Sequence, residues 1–281
     1  MAYVELHTAS AFSFLDGASL PEALIRRAAD LGYPSLALLD RDGVYGAPQF
    51  YRAARAAGIK AIVGAEVTVS ERREAGEQGS RGAWTLPLLV SSAEGYRNLC
   101  RLITRAKLAA PKGAAAVTLA DLRGHTAGLV ALVGREALNT RRHGVGGLVD
   151  QMVGVFGRGQ VWIELQRHLQ RDEPGVIDSL LDLAAAFRVP VMASNGVRFA
   201  EPESRPLYDV MTCIRRKLTL ETAGQQLSIN AERYLKPPTL MSRLFADLPQ
   251  ALAGTEALAE RLELDRKSTR LNSSHVSESR M

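Results

Sequence analysis

Short runs of β-branched residues and leucine, bounded by Gly, Pro or Asp, recur seven times within the first two hundred residues, separated by segments of helical periodicity. The runs are Tyr3 to His7, Ser35 to Leu39, Lys60 to Val63 continuing toward Glu66, Thr85 to Val90, Gly128 to Val133, Gln160 to Leu165, and Val191 to Ser194. Strands that read as near-continuous apolar stretches and alternate with helices imply a parallel sheet covered on both faces. Seven such units are enough to close a ring, so the expected fold class is α/β: a seven-stranded TIM-like barrel over residues 1–215. An open doubly wound sheet is the alternative. It lacks its usual support, because His7, Thr8, Ala9 and Ser10 follow the first run where a Gly-rich phosphate loop would stand.

The helical segments carry their own punctuation. Ser19 and Glu22 have capping-box spacing ahead of the stripe Leu20, Leu24, Ile25, Ala28 and Leu31, with Gly32 as a stop. A second helix, Ala47 to Ala57, is expected to end at Gly58, and a third presents Tyr96, Leu99, Cys100 and Ile103 on one face. Cys100 is therefore read as packing, and Cys100 and Cys213 as free thiols. Residues Glu71 to Gly82 are charged and Gly-rich, which predicts an exposed loop. Beyond about Leu220 the strands stop, and a short helical segment punctuated by Pro237, Pro238 and Pro249 is expected over residues 216–264.

Composition excludes several classes. At 281 residues and 46% apolar content the chain can bury a sizeable core. No apolar run approaches the ~18 residues of a membrane helix, and Met1 to His7 lacks the pattern of a signal peptide, so a cytoplasmic location without a membrane partner is expected. The charge of +5 shrinks to +3 without residues 265–281, too mild to diagnose nucleic-acid binding. Those last residues break with the Ala-, Leu- and Arg-rich character of the rest, and Asp265 to His275 reads DRKSTRLNSSH, the translation of a common sequencing-adapter oligonucleotide. They are expected to be artefactual and dispensable, and the natural reading frame to continue past residue 264.

In a parallel barrel, chemistry sits where strands end. The polar residues at those ends are His7, Asp40, Glu66, Arg135, His168 and Arg198, with Asp16 in the loop after the first strand. His, Asp and Glu converging on one rim are the raw material of a divalent-metal site for phosphate-ester hydrolysis. Several arginines at the same rim would instead repel cations and suit carboxylates or anions.

The stretches around these residues are recognisable. The opening YVELHTASAFSFLDGASLPEALIRRAADLGYPSLALLDRDGVYGAPQFYRAARAAGIKAIVGAEV resembles the amino-terminal polymerase and histidinol phosphatase (PHP) domain of bacterial DNA polymerase III alpha subunits, the error-prone branch in particular. Further matches are EGYRNLCRLIT from Glu94, GLVALVGRE from Gly128, ELQRH from Glu164, and the stretch from Tyr208 through NAERYLKPPTLMSRLF to LPQALAGTEALAERL. The resemblance implies a distorted seven-unit barrel. It also implies that members with a metal cluster ligate it from positions that are here His7, Ala9, Asp16, Arg41, Glu66, Thr85, Arg135, Gly196 and Arg198. Only His7, Asp16 and Glu66 keep ligating side chains, so no metal and no catalytic residue are expected in this chain. The resemblance places polymerase chemistry, with its Mg²⁺ ions, in a palm domain beyond residue 264. It implies as partners the rest of the polymerase chain, DNA through that chain, and a sliding clamp or repair proteins.

Two function classes follow: a non-catalytic PHP module supporting an error-prone, lesion-copying polymerase, and an active metal-dependent phosphoesterase or exonuclease. An anion-binding barrel is a weaker third. His7 and His168 also fit plain buried histidines satisfied by neighbours. Arg215, Arg216 and Lys217 fit a solvated helix face, with a DNA or interdomain contact as the minority reading. If fixed cations have replaced a lost cluster, Arg41, Arg135 and Arg198 should lie among Asp16, Asp40 and Glu66.

Overall fold

The computed structural model describes residues 3–70, 83–111, 113–135, 138 and 146–262. The readings of 71–82 as an exposed loop and of 265–281 as a dispensable tail lie outside these residues. The fold is α/β, built on a curled sheet of six strands in sequence order: β1 (Ser35–Arg41), β2 (Lys60–Val69), β3 (Trp84–Val90), β4 (Leu129–Val133), β5 (Val161–Gln166) and β6 (Val191–Ser194). Each coincides with an expected run to within a few residues. The first expected run, Tyr3 to His7, is not a regular strand. It is an extended segment joined to β1 by the bridge Glu5–Leu36 and, on its other side, to the turn after β6 by the bridge Thr8–Val197. Backbone hydrogen bonds from Ala37 to Glu5, Leu39 to Thr8 and Ala9 to Val197 carry this double attachment.

The expectation of a wholly parallel sheet needs correction. β1 with β2, β4 with β5, and β5 with β6 are parallel, but β3 is antiparallel to both neighbours. A parallel pair needs a crossover long enough to return the chain to the starting edge, usually a helix. The sequence between β2 and β3 is charged and Gly-rich, without an apolar stripe, and β3 runs in the opposite direction.

Helices α1 (Pro21–Asp30), α2 (Ala47–Ala57), α3 (Ala93–Leu108), α4 (Leu119–Leu122), α5 (Gly147–Phe156) and α6 (Glu173–Phe187) alternate with the strands. The box at the start of α1 does not form: Leu20 is the N-cap, Pro21 occupies the first turn, and the Ser19 hydroxyl accepts from the Ala200 backbone N–H at 2.9 Å. Gly58 ends α2 in the left-handed conformation at φ 71°. After β6 come α7 (Arg205–Arg216), α8 (Leu220–Ala223), α9 (Pro238–Leu244) and α10 (Pro249–Arg261).

Because side chains alternate across a strand, the sheet serves two cores. Leu36 and Leu38 of β1 and Leu129, Ala131 and Val133 of β4 join the large outer cluster with the helices. Ala37 and Leu39, Val130 and Leu132, with Val4, Leu6, Ile62, Leu89, Trp162 and Met192, form a second cluster on the concave face. Helix α10 closes that inner cluster with Leu258 and Ala259, joined by Leu262 just after it, and the Thr255 hydroxyl accepts from the Val4 backbone N–H at 3.2 Å. The helical stretch after residue 215 thus supplies part of the inner core.

Candidate functional site: a buried ion-pair cluster at the rim

The register that fills the inner core also builds the site. Two residues beyond an inward apolar residue lies another inward position: Leu39 leads to Arg41, Trp162 to Glu164, Met192 to Ser194, and Ile62 through Gly64 to Glu66. On antiparallel β3 the same count runs backward from Leu89 through Pro87 to Thr85. Together with His7 and Arg198, these strands converge on one rim of the sheet. His7, Glu66, Glu164, Arg198, Arg233 and Thr85 line a cavity of about 230 Å³ there.

His7 is buried between two carboxylates. Its Nε2 lies 2.6 Å from Glu66 Oε1 and its Nδ1 2.7 Å from Glu164 Oε1. Burial alone would lower the imidazole pKa, but Glu164 foremost and Glu66 push it up to about 10, so His7 is an imidazolium with both N–H groups donating. Arg198 forks onto the same Glu66, with Nη2 to Oε1 at 2.6 Å and Nη1 to Oε2 at 3.2 Å. Burial would raise the Glu66 carboxyl; Arg198, then His7 and Arg41, hold it well below the usual carboxylate range. Glu164 is lowered likewise by His7, with the Ser194 hydroxyl donating to it. Asp16 joins through Arg41 Nη2 at 3.0 Å and Arg198 Nη1 at 3.9 Å, and Arg215 of α7 binds its other oxygen. Arg41 also reaches Glu66 at 3.5 Å.

The expected arginine cluster is thus gathered in part. Arg41 and Arg198 stand among Asp16 and Glu66, whereas Arg135 pairs with exposed Asp172 and touches none of the three expected acids. Among the described residues Asp40 meets no arginine. Its Oδ1 accepts from the Ser10 N–H and hydroxyl, each at 2.8 Å, and from the Ser13 hydroxyl at 2.9 Å, which spends the carboxylate on the loop after the first run. Ala9 is fully buried and Thr85 stands opposite Thr68 in the β2–β3 register. Gly196 has φ +54°, a left-handed conformation that strains any residue with a Cβ, and it brings no ligating side chain to the rim.

Sequence reasoning missed Glu164, Arg215, Arg233 and Glu5. Glu164 had a signal in the alternation Trp162, Glu164, Gln166 on an otherwise apolar strand. Arg215 reads as a solvated cation on its helix, and only tertiary structure brings it to an acid 199 positions away. Glu5 accepts from Tyr3 Oη at 2.6 Å and from the backbone N–H groups of His7 and Asn195, and burial raises its pKa to about 7. His168 is neutral: burial, then the nearby Arg233, lowers it to about 3, and its Nε2–H donates to the Asn195 carbonyl at 2.8 Å.

A divalent metal cluster does not fit this donor set. Both His7 nitrogens point at carboxylates, Glu66 Oε1 is shared by His7 and Arg198, and the Asp16 oxygens face Arg41 and Arg215. A cation coordinated by these acids would sit against guanidinium groups. Among the described residues no three His, Cys, Asp or Glu side chains are arranged to hold a metal ion.

With the geometry in place, comparison with known proteins is informative. The chain is 37% identical over 268 residues to an error-prone DNA polymerase of Anaeromyxobacter sp. (strain K), a match covering 92% of this chain and 22% of that protein. It is 36% identical to one of Pseudomonas aeruginosa, covering 94% and 24%, and 33% identical to one of Symbiobacterium thermophilum, covering 94% and 26%. The chain therefore spans about a quarter of the length of these curated relatives. Among solved structures, a candidate metal-dependent phosphoesterase from Bifidobacterium adolescentis aligns over 69% of this chain and 86% of its own, at 12% identity and a TM-score of 0.48. The family model described as the PHP domain matches residues 5–168, the span that carries β1 to β5 and, at His7, Glu66 and Glu164, the centre of the rim; by that match the chain belongs to the PHP domain family.

Proposed function

We propose that this chain is the non-catalytic PHP module of an error-prone, lesion-copying DNA polymerase, with the extended segment at Tyr3 to His7 acting as the seventh stave of a distorted barrel. The observation that carries the reading is the two-pronged bond of Arg198 to Glu66, flanked by Arg41 and Arg215 on Asp16. Fixed guanidinium groups neutralise the carboxylates that a metal cluster would otherwise bring together, Arg198 and Arg215 with directional hydrogen bonds and Arg41 as an ion pair. Such an arrangement holds structure at the rim but supplies no activated water and no Lewis acid. The polymerase assignment draws its support from the relatives named above, whose remaining length would hold the palm domain, its Mg²⁺ ions and the contacts to DNA, clamp and repair proteins. In this reading the rim fixes the ends of β2, β5 and the turn after β6, so the module presents a rigid body to the rest of the polymerase in the cytoplasm.

The test is metal content and hydrolysis. The purified chain, dialysed and then offered Mn²⁺, Zn²⁺ or Mg²⁺, should retain well under one ion per chain and hydrolyse neither a phosphomonoester nor single-stranded DNA. Retention of an ion or more per chain, together with hydrolysis that a chelator abolishes and that needs His7, would establish the active phosphoesterase instead.

A further inference from the structure

Among the described residues, the rim cavity holds one cation that the ion-pair network does not use. Around its wall, Glu66 is matched by Arg198 and Glu164 by His7. Glu173 accepts the His168 backbone N–H at 2.5 Å and lies in the first turn of α6, where the helix terminus favours a carboxylate. Arg135 has Asp172 outside the cavity. Arg233 has no such match. Its backbone carbonyl accepts from the Arg198 N–H at 2.8 Å, which fixes it beside a second guanidinium, yet among the described residues no carboxylate or other acceptor engages its side chain. Burial, then Arg198, pushes its pKa below the usual arginine value. A guanidinium stays charged nonetheless, and Glu66 and Asp16 attract it only from a distance, so the fold carries a partly buried cation with no carboxylate in direct contact, an arrangement that ordinarily costs stability.

We propose that this cavity binds a phosphate-sized oxyanion, with Arg233 as the principal ligand and Arg198 beside it. The space of about 230 Å³ exceeds the ~30 Å³ share of a water molecule several times over, enough for such an ion. The Thr85 hydroxyl, also on the wall and without a hydrogen-bond partner among the described residues, adds a neutral donor. Glu66 and Glu164 do not repel the ion as free acids would, since each is already engaged by a cation. The inference rests on the metal-free reading of the rim. It goes beyond that reading by giving the vestigial site a ligand.

The experiment uses the full 281-residue chain in the presence of a chelator, with inorganic phosphate exchanged for chloride at constant ionic strength. Calorimetric titration should give saturable binding, and phosphate should raise the melting temperature. Arg233→Met should weaken phosphate binding by at least about tenfold, the scale of one lost charge-assisted hydrogen bond. In chloride the same variant should melt no lower than the parent, because it removes an unpaired charge; this shows that it folds. Arg216→Ala, an exposed change on α7, should leave phosphate binding intact. An oligonucleotide bearing a 5′-phosphate that competes with phosphate, when its 5′-hydroxyl counterpart does not, would identify a DNA terminus as the source. Failure of both to compete would identify free anion. A phosphate response that is absent, or unchanged in Arg233→Met, overturns the proposal while leaving the metal-free reading intact. A response absent with chelator but present when the titration is repeated without it assigns the anion to a bound metal and overturns both.

Discussion

The two ends of the concave face solve one packing problem by opposite means. At one end, Val4, Leu6, Trp162 and Met192 are sealed by Leu258 and Ala259 of α10 and by Leu262 just after it, through apolar contact, with charge only at the margin, where Arg261 lies over the Trp162 ring and Lys60 Nζ donates to the Ala259 carbonyl at 2.8 Å. At the other, four residues further along β2 from Ile62 to Glu66, the same inward register delivers a carboxylate bound by Arg198 and His7. Apolar burial is non-directional and tolerates adjustment, so the α10 end should degrade gradually under substitution. The rim is a network in which each charge is buried only because its partner is present, so removing one member strands another.

The largest expected effect therefore lies at the rim. Glu66→Ala leaves both Arg198 and His7 without the acid they share, and should cost about 5 kcal/mol, the upper end for a broken buried pair. Arg198→Ala should cost about 3 kcal/mol, because Glu66 keeps His7. The double variant should lose at least about 1 kcal/mol less than the two losses combined. Denaturant melts of the four proteins decide it, and simple additivity would show that the rim is not a coupled network.

At the opposite end, Leu258→Ala should cost about 3 kcal/mol through lost transfer energy and a residual cavity, since Leu258 is fully buried. Its loss should add to that of Arg198→Ala within about 0.5 kcal/mol, the behaviour of sites with no shared partners. Strong coupling between the two would mean that the ends are not independent.

The sequence was informative in proportion to how local each feature is. Six of the seven expected runs are strands because β-branched and leucine runs between helical stripes are a local signature. The direction of β3 was not legible, since it depends on how the chain returns to the sheet and not on which residues form the strand. Likewise, the helical segment expected over residues 216–264 said nothing of where it packs, and the structure puts its Leu258 and Leu262 into the concave face of the sheet. At the site, the strand ends named His7, Glu66 and Arg198, and the structure brings these three side chains into contact. Asp40 was misassigned because a carboxylate at a strand end serves equally well as the anchor for a loop, which is what Ser10 and Ser13 make of it.

A smaller effect than these truncations should separate the ends by pH. The imidazole of His7 titrates near its ordinary value of about 6.5 when unfolded and at about 10 in the folded chain. A raised folded pKa means that its stabilisation is complete below about pH 6.5 and is lost as pH climbs through about 10. The stability difference between the parent and His7→Gln should therefore narrow across that window. The difference between the parent and Leu258→Ala should stay flat, because no titrating group is removed. A His7→Gln difference that is equally flat would mean that His7 is not charged between its two acids.

The smallest expected effect marks where the network stops. Arg135 shares with the other rim arginines its place near a strand end, and its guanidinium does bind a carboxylate, that of Asp172. The pairing differs in kind from Arg198 with Glu66: its side chains are 44% and 59% exposed, against 7% and 1%. Water already solvates both exposed groups, so little solvation is lost when they separate, and ordering two long side chains offsets the attraction. Salt also reaches them, with a screening length of about 10 Å at roughly 0.1 M ionic strength, whereas buried charges are shielded from it. Arg135→Ala should accordingly leave the melting temperature within experimental scatter at any salt concentration, and its effect should simply add to that of Arg198→Ala. A clear loss at low salt that salt fails to erase, or coupling to Arg198, would place Arg135 inside the buried network and move the boundary of the site outward along α6.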